Sequence, residues 1–425
     1  MKIIAALEDH DFASEPDSLG VVLYGHASKQ NQGSAGAAVK DVIRRQKLCP
    51  TGRAWDFLSI ALSVMSADLA GHRDRSPDGW TRVFDLRISV SDPSFWSSQA
   101  PTLDRLLGFL STDIWRLTFT GDGFQPAPER EIIRPTEDSV VLLSGGLDSL
   151  VGAIDLAHRG QRPFAVSQSV RGDEEKQDKF AAVIGGGLNH LRLNHNAHVP
   201  SPERMPSQRA RSIIFLAHGI LVATSLARHH AGEYVTLNVC ENGFISINPP
   251  LTDMRLGSLS TRTSHPALLA MLQQILDAGD FRVRVTNPYQ YKTKGEMLLE
   301  GRDQNMLQSY AHHTTSCGRF KRYGYKHCGR CVPCLIRRAS FLRWGVADRT
   351  RYKYTSLSKN DKERAGYDDV RAAAMAVIDV SQNGLDEWLG ASLSSSLIEN
   401  KTTLRAVAQR GLEELEQFLA AQKVR

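Results

Sequence analysis

The spacing of apolar residues changes once along the chain, at a proline-containing stretch over residues 122–138. Before it, residues 80–90 (WTRVFDLRISV) and 113–120 (DIWRLTFT) alternate apolar and polar side chains, as half-buried strands do. Residues 103–110 predict a short helix between them. Because prolines and mixed charges mark a boundary, we expect an N-terminal α+β module over residues 1–135.

After this stretch, short apolar runs alternate with helical patterns. Strands are predicted at residues 140–143, 163–168, 191–194, 234–239 and 281–286, and helices at 148–157, 208–229 and 266–278 and from Asp173 onward. Such alternation predicts a parallel sheet covered by helices on both faces, with ligands bound outside the carboxyl ends of the strands. We expect this doubly wound α/β domain to span residues 136–349.

The last part of the chain, residues 350–425, is predicted to be a helical extension. Its final pattern has apolar residues at helical spacing: Leu404, Val407, Leu412, Leu415, Phe418 and Leu419. A stripe of this kind indicates packing onto a neighbouring domain or subunit. A face that binds a partner protein is the alternative interpretation.

Composition narrows the possible functions only slightly. The 425 residues carry 52 Lys and Arg against 46 Asp and Glu, a net charge of +6, without the long basic run of a nucleic-acid-binding arm. The first ten residues reach Glu8 and Asp9 before a signal peptide could complete its apolar region. The apolar stretch 213–227 is too short to span a membrane. We expect a cytoplasmic protein that binds neither membranes nor nucleic acid directly.

A candidate anion site follows the first strand of the second domain, where the sequence reads VVLLSGGLDSL. Two glycines in the turn allow backbone angles that point amide N–H groups at one spot, and the following helix adds its positive end. Hydroxyls of two serines can donate to the same phosphate, and Asp148 can cap the helix or hold Mg2+. The predicted nucleotide-binding residues are Ser144, Gly145, Gly146, Leu147, Asp148 and Ser149.

A candidate metal site lies at the end of the same domain. Four of the six cysteines fall within residues 317–334: Cys317, Cys328, Cys331 and Cys334. Thiolates at this spacing suit a closed tetrahedral Zn2+ site that is structural rather than catalytic. His312, His313 and His327 are near enough in sequence to compete as ligands, and an iron–sulfur cluster or a redox pair is the alternative.

Together, SGGLDS and CGRCVPCLIR resemble the QueC family of 7-cyano-7-deazaguanine synthases, which are PP-loop ATP pyrophosphatases. The resemblance runs from Ser139 to about Trp344. It implies that ATP is cleaved between its α and β phosphates, with Mg2+ neutralising the pyrophosphate that leaves. It further implies that 7-carboxy-7-deazaguanine is adenylated on its carboxylate, converted to an amide by ammonia and then dehydrated to a nitrile.

Smaller matches to this family assign further residues. Arg211 begins RSIIFLAHGILVA, Glu241 ends VCE, and Lys294 lies in NPYQYKTKGEM. The resemblance implies that Asp148, Lys294 and Arg211 act in catalysis and that the substrate contacts are Gln168, Glu241, Asp253 and Arg255. An ordinary surface or capping charge is the alternative at Arg211, Glu241, Asp253 and Lys294.

Departures from the family pattern point to a rebuilt pocket. The family's YGQ-(R/K)-H element is reduced here to Gln168 within VSQSVRGDEE, and Leu150 replaces a hydroxyl residue. With added modules on both sides, the chain resembles the QatC group of QueC-like proteins encoded in bacterial antiphage operons. That likeness implies a defence protein working beside an ATPase, a TatD-like nuclease and a small companion protein. We hypothesise that a protein amine replaces ammonia as the acceptor.

Other interpretations stay open. A preQ0 synthase of queuosine biosynthesis, another PP-loop amidotransferase and a tRNA-thiolating enzyme are the enzymatic alternatives. A non-catalytic scaffold that senses ATP while holding defence partners is the alternative from a different class. A nucleic-acid-binding knuckle is the remaining one.

Overall fold

The computed structural model describes residues 1–127, 131–203, 210–252, 262–357 and 369–424. The chain divides into two compact units, each made of separate segments. The first comprises Met1–Leu142, Leu191–Leu237 and Leu268–Val285, and the second comprises Leu143–His190, Asn238–Ala267 and Thr286–Arg425. The domain boundaries expected at residues 135 and 349 stay predictions.

The strands of the described residues form two sheets. They are β1 Lys2–Ala6, β2 Leu19–Leu23, β3 Gly33–Ala35, β4 Val83–Ser89, β5 Ile114–Thr120, β6 Ser139–Leu142, β7 Pro163–Gln168, β8 His190–Leu193, β9 Val235–Asn238 and β10 Val283–Thr286. The first sheet has the order β3-β2-β1-β4-β5 and the second has the order β10-β9-β6-β7-β8. Counted in chain order within each sheet, the two arrangements are the same.

Helices occupy most of the intervening chain. They are α1 Ala37–Arg45, α2 Gly52–Ala70, α3 Pro93–Ser111, α4 Leu147–His158, α5 Glu174–Val183, α6 Ala210–Ala223, α7 Ala227–His230, α8 Gly243–Ser246, α9 Pro266–Ala278, α10 Lys294–Leu299, α11 Gln304–Tyr310, α12 Val332–Trp344, α13 Asp369–Asn383, α14 Leu385–Leu389 and α15 Lys401–Ala421.

The N-terminal sheet corrects the prediction of an α+β module. All of its strands pair in parallel, with Ile3 opposite Leu19 and Ile4 opposite Arg87. Strands β1 to β3 are short and almost entirely buried, so they lack the apolar and polar alternation that marks a strand with one wet face. The fold of this module is therefore parallel α/β.

The second sheet agrees with the predicted doubly wound parallel arrangement. The Val235 N–H donates to Arg282 O at 2.9 Å, and the Val239 N–H donates to Thr286 O at 2.8 Å. Both strands advance by four residues in the same direction between these bonds, as parallel neighbours do. Strands β6 and β9 are the neighbours at which the strand order reverses, and this switch point is where such sheets bind ligands.

The corresponding position of the first sheet is covered by the chain that leaves β5. The Gly123 N–H donates to Val90 O at 3.2 Å, and a Cβ on Gly123 would lie 2.1 Å from the Val90 carbonyl carbon. The Phe124 ring then packs on Tyr24 and Trp55, with ring centroids 4.3 and 4.9 Å apart. The end of β4 is consequently filled by protein.

The C-terminal helix α15 packs within the chain. Its apolar stripe is buried, from Leu404 and Val407 to Phe418 and Leu419, and the helix contacts α12, α13 and α8. The predicted packing of this stripe is confirmed, so the stripe is not available as a partner-binding face. Among the described residues, no helix is both long and apolar enough to cross a membrane.

Candidate functional site

The loop after β6 forms a tight turn that only partly depends on its glycines. Gly145 has a φ of +83°, which strains any residue with a Cβ, and its carbonyl accepts the Thr315 N–H at 2.9 Å. Gly146 is extended, with φ −83° and ψ 167°, and precedes α4 as its N-cap. Of the two glycines expected to be able to adopt angles forbidden to other residues, only Gly145 does so.

Two serine hydroxyls close this loop. The Ser149 hydroxyl donates to Gly146 O at 3.0 Å and accepts the Ser144 N–H at 3.2 Å. The Ser144 hydroxyl accepts the Gly146 N–H at 3.2 Å and lies 3.0 Å from the Ser149 hydroxyl. Ser144 is exposed whereas Leu147 is buried. The hydrogen bonds therefore fix the shape of the loop, and its Ser144 end is accessible to solvent.

Asp148 pairs with a lysine that is distant in sequence. Its Oδ1 accepts from the Lys294 ammonium, and its Oδ2 accepts from the backbone and side-chain amides of Asn242 at 3.0 and 2.7 Å. Asp148 and Lys294 are only 5% and 7% exposed. Asp148 does not take the capping role considered for it, because Gly146 is the N-cap and the described bonds of the Asp148 carboxylate go to Lys294 and Asn242.

The Asp148 carboxyl is strongly biased toward its charged form. Burial raises the pKa of the Asp148 carboxyl, but the charge of Lys294 and the hydrogen bonds to the carboxylate outweigh burial and hold this pKa below its ordinary value. A buried ion pair of this kind costs desolvation energy that a purely structural contact does not require. Its position at the first turn of α4 makes it a candidate for function.

Helix α10 presents Lys294 to this carboxylate. Thr293 and Glu296 form a capping box: the Thr293 N–H donates to Glu296 Oε2 at 2.8 Å, and the Glu296 N–H donates to Thr293 Oγ1 at 3.1 Å. Lys294 is therefore the first residue of a helix with a fixed start. A cation is unfavourable at the positive end of a helix, and Asp148 offsets this cost.

Glu241 and Asn242 bring the end of β9 to the same place. The Asn242 side-chain amide donates to Glu241 Oε1 at 3.2 Å as well as to Asp148. The Glu241 N–H donates to Asn287 Oδ1 at 3.3 Å. Sequence reasoning identified Glu241 but missed Asn242, although Asn242 directly follows the VCE segment and its role depends on a contact across the fold.

Helix α5 supplies further residues beside the loop that sequence reasoning missed. The Gln177 amide donates to Ser144 O at 3.2 Å and to Gln168 O at 3.1 Å, which ties the loop to the end of β7. The Lys176 ammonium donates to Thr315 Oγ1 at 2.5 Å and to Asp173 Oδ1 at 3.2 Å. Lys176 thus places a positive charge next to the segment that contacts Gly145.

Of the remaining predicted residues, Gln168 and Arg211 lie in the described chain, and their predicted roles stay predictions. Gln168 ends β7 and is buried. Arg211 lies in α6 of the first unit and is half-buried. Asp253 and Arg255 lie outside the described residues, and their assignment as substrate contacts stays a prediction.

The four cysteines converge as expected for one metal ion. All four Sγ atoms lie within 4.8 Å of one another, with Cys328 to Cys334 at 3.9 Å and Cys331 to Cys317 at 3.8 Å. A tetrahedral zinc with Zn–S bonds of about 2.3 Å requires sulfur–sulfur separations of roughly 3.8 Å. These separations fit one Zn2+ ion, and a cluster of several irons would need a wider sulfur cage.

The four cysteines lie in the segment of residues 317–334, which we call the cysteine knuckle. Backbone N–H groups of Cys328 and Cys331 donate to sulfur at 3.3 and 3.2 Å, which stabilises thiolates. His327 does not act as a ligand here, because its Nε2 accepts the Ser316 N–H at 3.1 Å. Within the described residues, the group able to hold a metal contains the four cysteines and neither His312 nor His313.

A buried arginine joins the knuckle to the chain on either side. Arg337 is 0% exposed and donates to Thr314, Ser316 and Ala311 on one side and to Thr350 on the other. All of these acceptors are neutral, so the guanidinium is held by hydrogen bonds rather than by an ion pair. The segment from Ala311 to Ser316 is thereby fixed against α12.

Part of this chain matches a known protein family. Residues 263–345 match the family described as Queuosine biosynthesis protein QueC. The matched segment includes Lys294 and the cysteine knuckle. This segment of the chain is therefore similar to the QueC family.

Curated relatives are similar to a longer part of this chain than the family match covers. Three proteins named 7-cyano-7-deazaguanine synthase are similar to this chain. The protein from Paracoccus denitrificans is 24% identical over 250 residues, 53% of this chain and 99% of the relative. The protein from Rhizobium etli is 26% identical over 231 residues, which cover 51% of this chain and 92% of the relative. The protein from Ruegeria pomeroyi is 28% identical over 246 residues, which cover 50% of this chain and 94% of the relative. Nearly the whole of each relative therefore corresponds to about half of this chain.

Proposed function

We propose that this chain is a QueC-like, ATP-dependent enzyme that activates the carboxylate of a 7-deazaguanine as an acyl-adenylate. The observation that carries the proposal is the buried pair of Asp148 and Lys294 directly behind a glycine turn at a helix N-terminus. The relatives named 7-cyano-7-deazaguanine synthase support the substrate class.

The first reaction step would use the loop after β6, residues 144–149, which we call the phosphate loop. An oxygen of the substrate carboxylate attacks the α-phosphorus, the bond from that phosphorus to the β-bridging oxygen breaks, and pyrophosphate leaves. N–H groups of the turn and the ammonium of Lys294 would stabilise the negative charge that develops on the phosphates. Asp148 would hold Mg2+, which neutralises pyrophosphate as a leaving group.

The second step transfers the activated acyl group to an amine. The amine nitrogen attacks the acyl carbon, the bond to the AMP oxygen breaks, and the proton lost by the amine passes to solvent. Activation is needed because a free carboxylate has oxide as its leaving group, whereas AMP leaves readily. Ammonia would give an amide, and a lysine or terminal amine of a protein would give a covalent conjugate.

We assign the biological role to bacterial antiphage defence, as in the QatC group, with a partner protein from the same operon as the acceptor. About half of the chain has no counterpart in the relatives, which supports a task beyond theirs. A preQ0 synthase with ammonia as the acceptor is the alternative within the same chemistry.

The direct test measures pyrophosphate release from MgATP by the purified chain with and without 7-carboxy-7-deazaguanine. We expect pyrophosphate release that depends on this compound, with an equal amount of AMP appearing when an amine such as ammonia is added to attack the acyl-adenylate. Mass spectrometry of co-expressed operon partners should then detect an added deazaguanine acyl group. ATP binding with no pyrophosphate release would instead support the non-catalytic scaffold, and a nitrile product without protein modification would support preQ0 synthesis.

The tRNA-thiolating alternative is weakened by the surroundings of Cys240. Such chemistry needs a reactive thiol near ATP. Burial and the neighbouring carboxylate of Asp148 raise the pKa of the Cys240 thiol, and its Sγ would lie 2.2 Å from a Cβ placed on Gly152. Cys240 is therefore a packed, protonated thiol with no space for a persulfide.

Alanine at Gly145 tests the role of the phosphate loop. The residue has φ +83°, and an added Cβ would lie 3.3 Å from Asp173 Cβ, so Gly145→Ala should distort the turn and weaken MgATP binding about tenfold, measured by calorimetry. Gly160→Ala is the matched control, since Gly160 has φ +78° with open space around it. Equal nucleotide affinity in both variants would remove the loop from the site.

A further inference from the structure

The C-terminal helix α15 carries a buried carboxylate in the middle of its packed face. Glu414 is 8% exposed and lies between the buried residues Leu412 and Leu415. A glutamate is rarely buried unless it serves a contact. Its partners therefore indicate what this helix does.

Glu414 grips the first turn of α10 on both sides of Lys294. The Thr293 hydroxyl donates to Glu414 Oε1 at 2.5 Å, and the Gly295 N–H donates to Glu414 Oε2 at 3.3 Å. A Cβ on Gly295 would lie 2.5 Å from Glu414 Oε1 and 2.7 Å from Arg343 Cγ, so any larger residue would displace one of these side chains. The residues before and after the lysine are thus both fixed to the same carboxylate.

A second contact of α15 holds the capping box itself. The Arg410 guanidinium donates to Glu296 Oε1 at 2.5 Å and to Tyr291 O at 3.0 Å. Glu296 is the capping-box residue whose side chain accepts the Thr293 N–H. Arg410 and Glu414 lie four residues apart and so face the same side of the helix.

We propose that Glu414 and Arg410 form a clamp by which the C-terminal helix positions Lys294 against Asp148. Both are positioning residues that act through α10. The inference rests on the proposed function only for the chemical role of Lys294. The family match ends at residue 345, so both clamp residues lie beyond the matched segment.

The surroundings of Glu414 make its ionised form unfavourable. Burial is the main effect and raises the pKa of Glu414 to about 7, with Glu296 adding to the rise and Thr293, Gly295 and Arg343 opposing it. Arg410 is bonded to Glu296. An acid with a raised folded-state pKa contributes stability below its unfolded pKa, near 4.5, and loses it as the pH rises through about 7.

The test compares Glu414→Ala with Glu414→Gln and with Glu413→Ala in the full chain. Gln can still accept from the Gly295 N–H and donate to the Thr293 hydroxyl, whereas Ala does neither. Glu413 is an exposed neighbour that accepts only from Gln409 among the hydrogen bonds described. The measurements are amide hydrogen exchange of residues 293–299, acylation of Lys294 by an amine-reactive reagent followed by mass spectrometry, and kcat and KM for ATP.

We expect Glu414→Ala to speed exchange in 293–299 and acylation of Lys294, and to lower kcat about tenfold to a hundredfold, since a small misplacement of a catalytic group has this effect. KM for ATP should change less than kcat. Glu414→Gln should restore most of the loss, and Glu413→Ala should match the wild type. Arg410→Met, which removes the ion-pair partner of Glu296 but leaves its bond from the Thr293 N–H, should give the same changes to a smaller degree.

Unchanged exchange and acylation in Glu414→Ala would overturn the clamp. Faster exchange with unchanged kcat would also overturn it, because the contact would then only stabilise the fold. If the wild type releases no pyrophosphate at all, the proposed function fails, and the clamp is decided by exchange and by acylation of Lys294.

A pH series adds a readout that a neutral packing contact would not give. The melting temperature of Glu414→Gln minus that of the wild type should grow between pH 5 and pH 8, because only the wild type must bury an ionised carboxylate as the pH rises. A difference that stays constant over this range would contradict the buried, titrating carboxylate.

Discussion

Asp148→Asn is expected to lower pyrophosphate release by about a hundredfold or more, because it removes the charge that would hold Mg2+ and orient Lys294. It should also destabilise the protein. Lys294 then stays buried without its counterion, and breaking a buried ion pair typically costs about 3–5 kcal/mol. Activity and stability are thus expected to fall together in this single variant.

The double variant separates these two effects. Lys294→Met should destabilise by a similar amount, since it leaves Asp148 buried and unpaired, but Asp148→Asn with Lys294→Met removes both charges. We expect the double variant to regain much of the lost stability in denaturant titrations while remaining inactive. Wild-type activity in the double variant would exclude this pair from the reaction, and additive losses of stability would show that the two residues are not coupled.

Removal of metal from the cysteine knuckle is expected to have the second large effect. One Zn2+ per chain should be released when a thiol-reactive mercurial is added with a chromogenic chelator, and loss of the ion forfeits on the order of 10 kcal/mol of binding free energy. Residues 314–334 should then exchange their amide protons quickly. Metal content by mass spectrometry gives the stoichiometry.

The effect should reach the phosphate loop. Thr315 donates to Gly145 O and lies two residues before Cys317, and Ser316 donates to His327 within the knuckle, so one hydrogen bond joins the loop to the segment that enters the knuckle. We expect Cys328→Ser to lose metal and to weaken MgATP binding several-fold, whereas Cys49→Ser, outside the cluster, should change neither. Full nucleotide affinity in the metal-free protein would show that the two sites are independent.

Sequence alone predicted the second sheet well because its signals are local. The strand at Pro163–Gln168 and the helix at Pro266–Ala278 were predicted with the observed ends, since both begin with proline after a turn. The cysteine knuckle was predicted for the same reason, as its ligands are close in sequence. Leu147–His158 follows its glycine turn as expected.

The rest depends on contacts that no local pattern encodes. Asp148 and Lys294 are separated by 146 positions, so their pairing exists only once β6 and α10 have folded. Strands β1 to β3 are buried on both faces and look like ordinary apolar runs. Glu414 reads as one more charge in a charged helix, and only its burial separates it from Glu413.

The two sheets of this protein share one strand order, yet in the described residues the ligand-binding edge of the first sheet is covered by the chain that leaves β5. At this edge Gly123 lies against Val90, and the Phe124 ring packs on Tyr24. The strand order alone would predict a ligand site at both sheets. Whether such a sheet serves chemistry or merely architecture is decided by a handful of atoms at its rim.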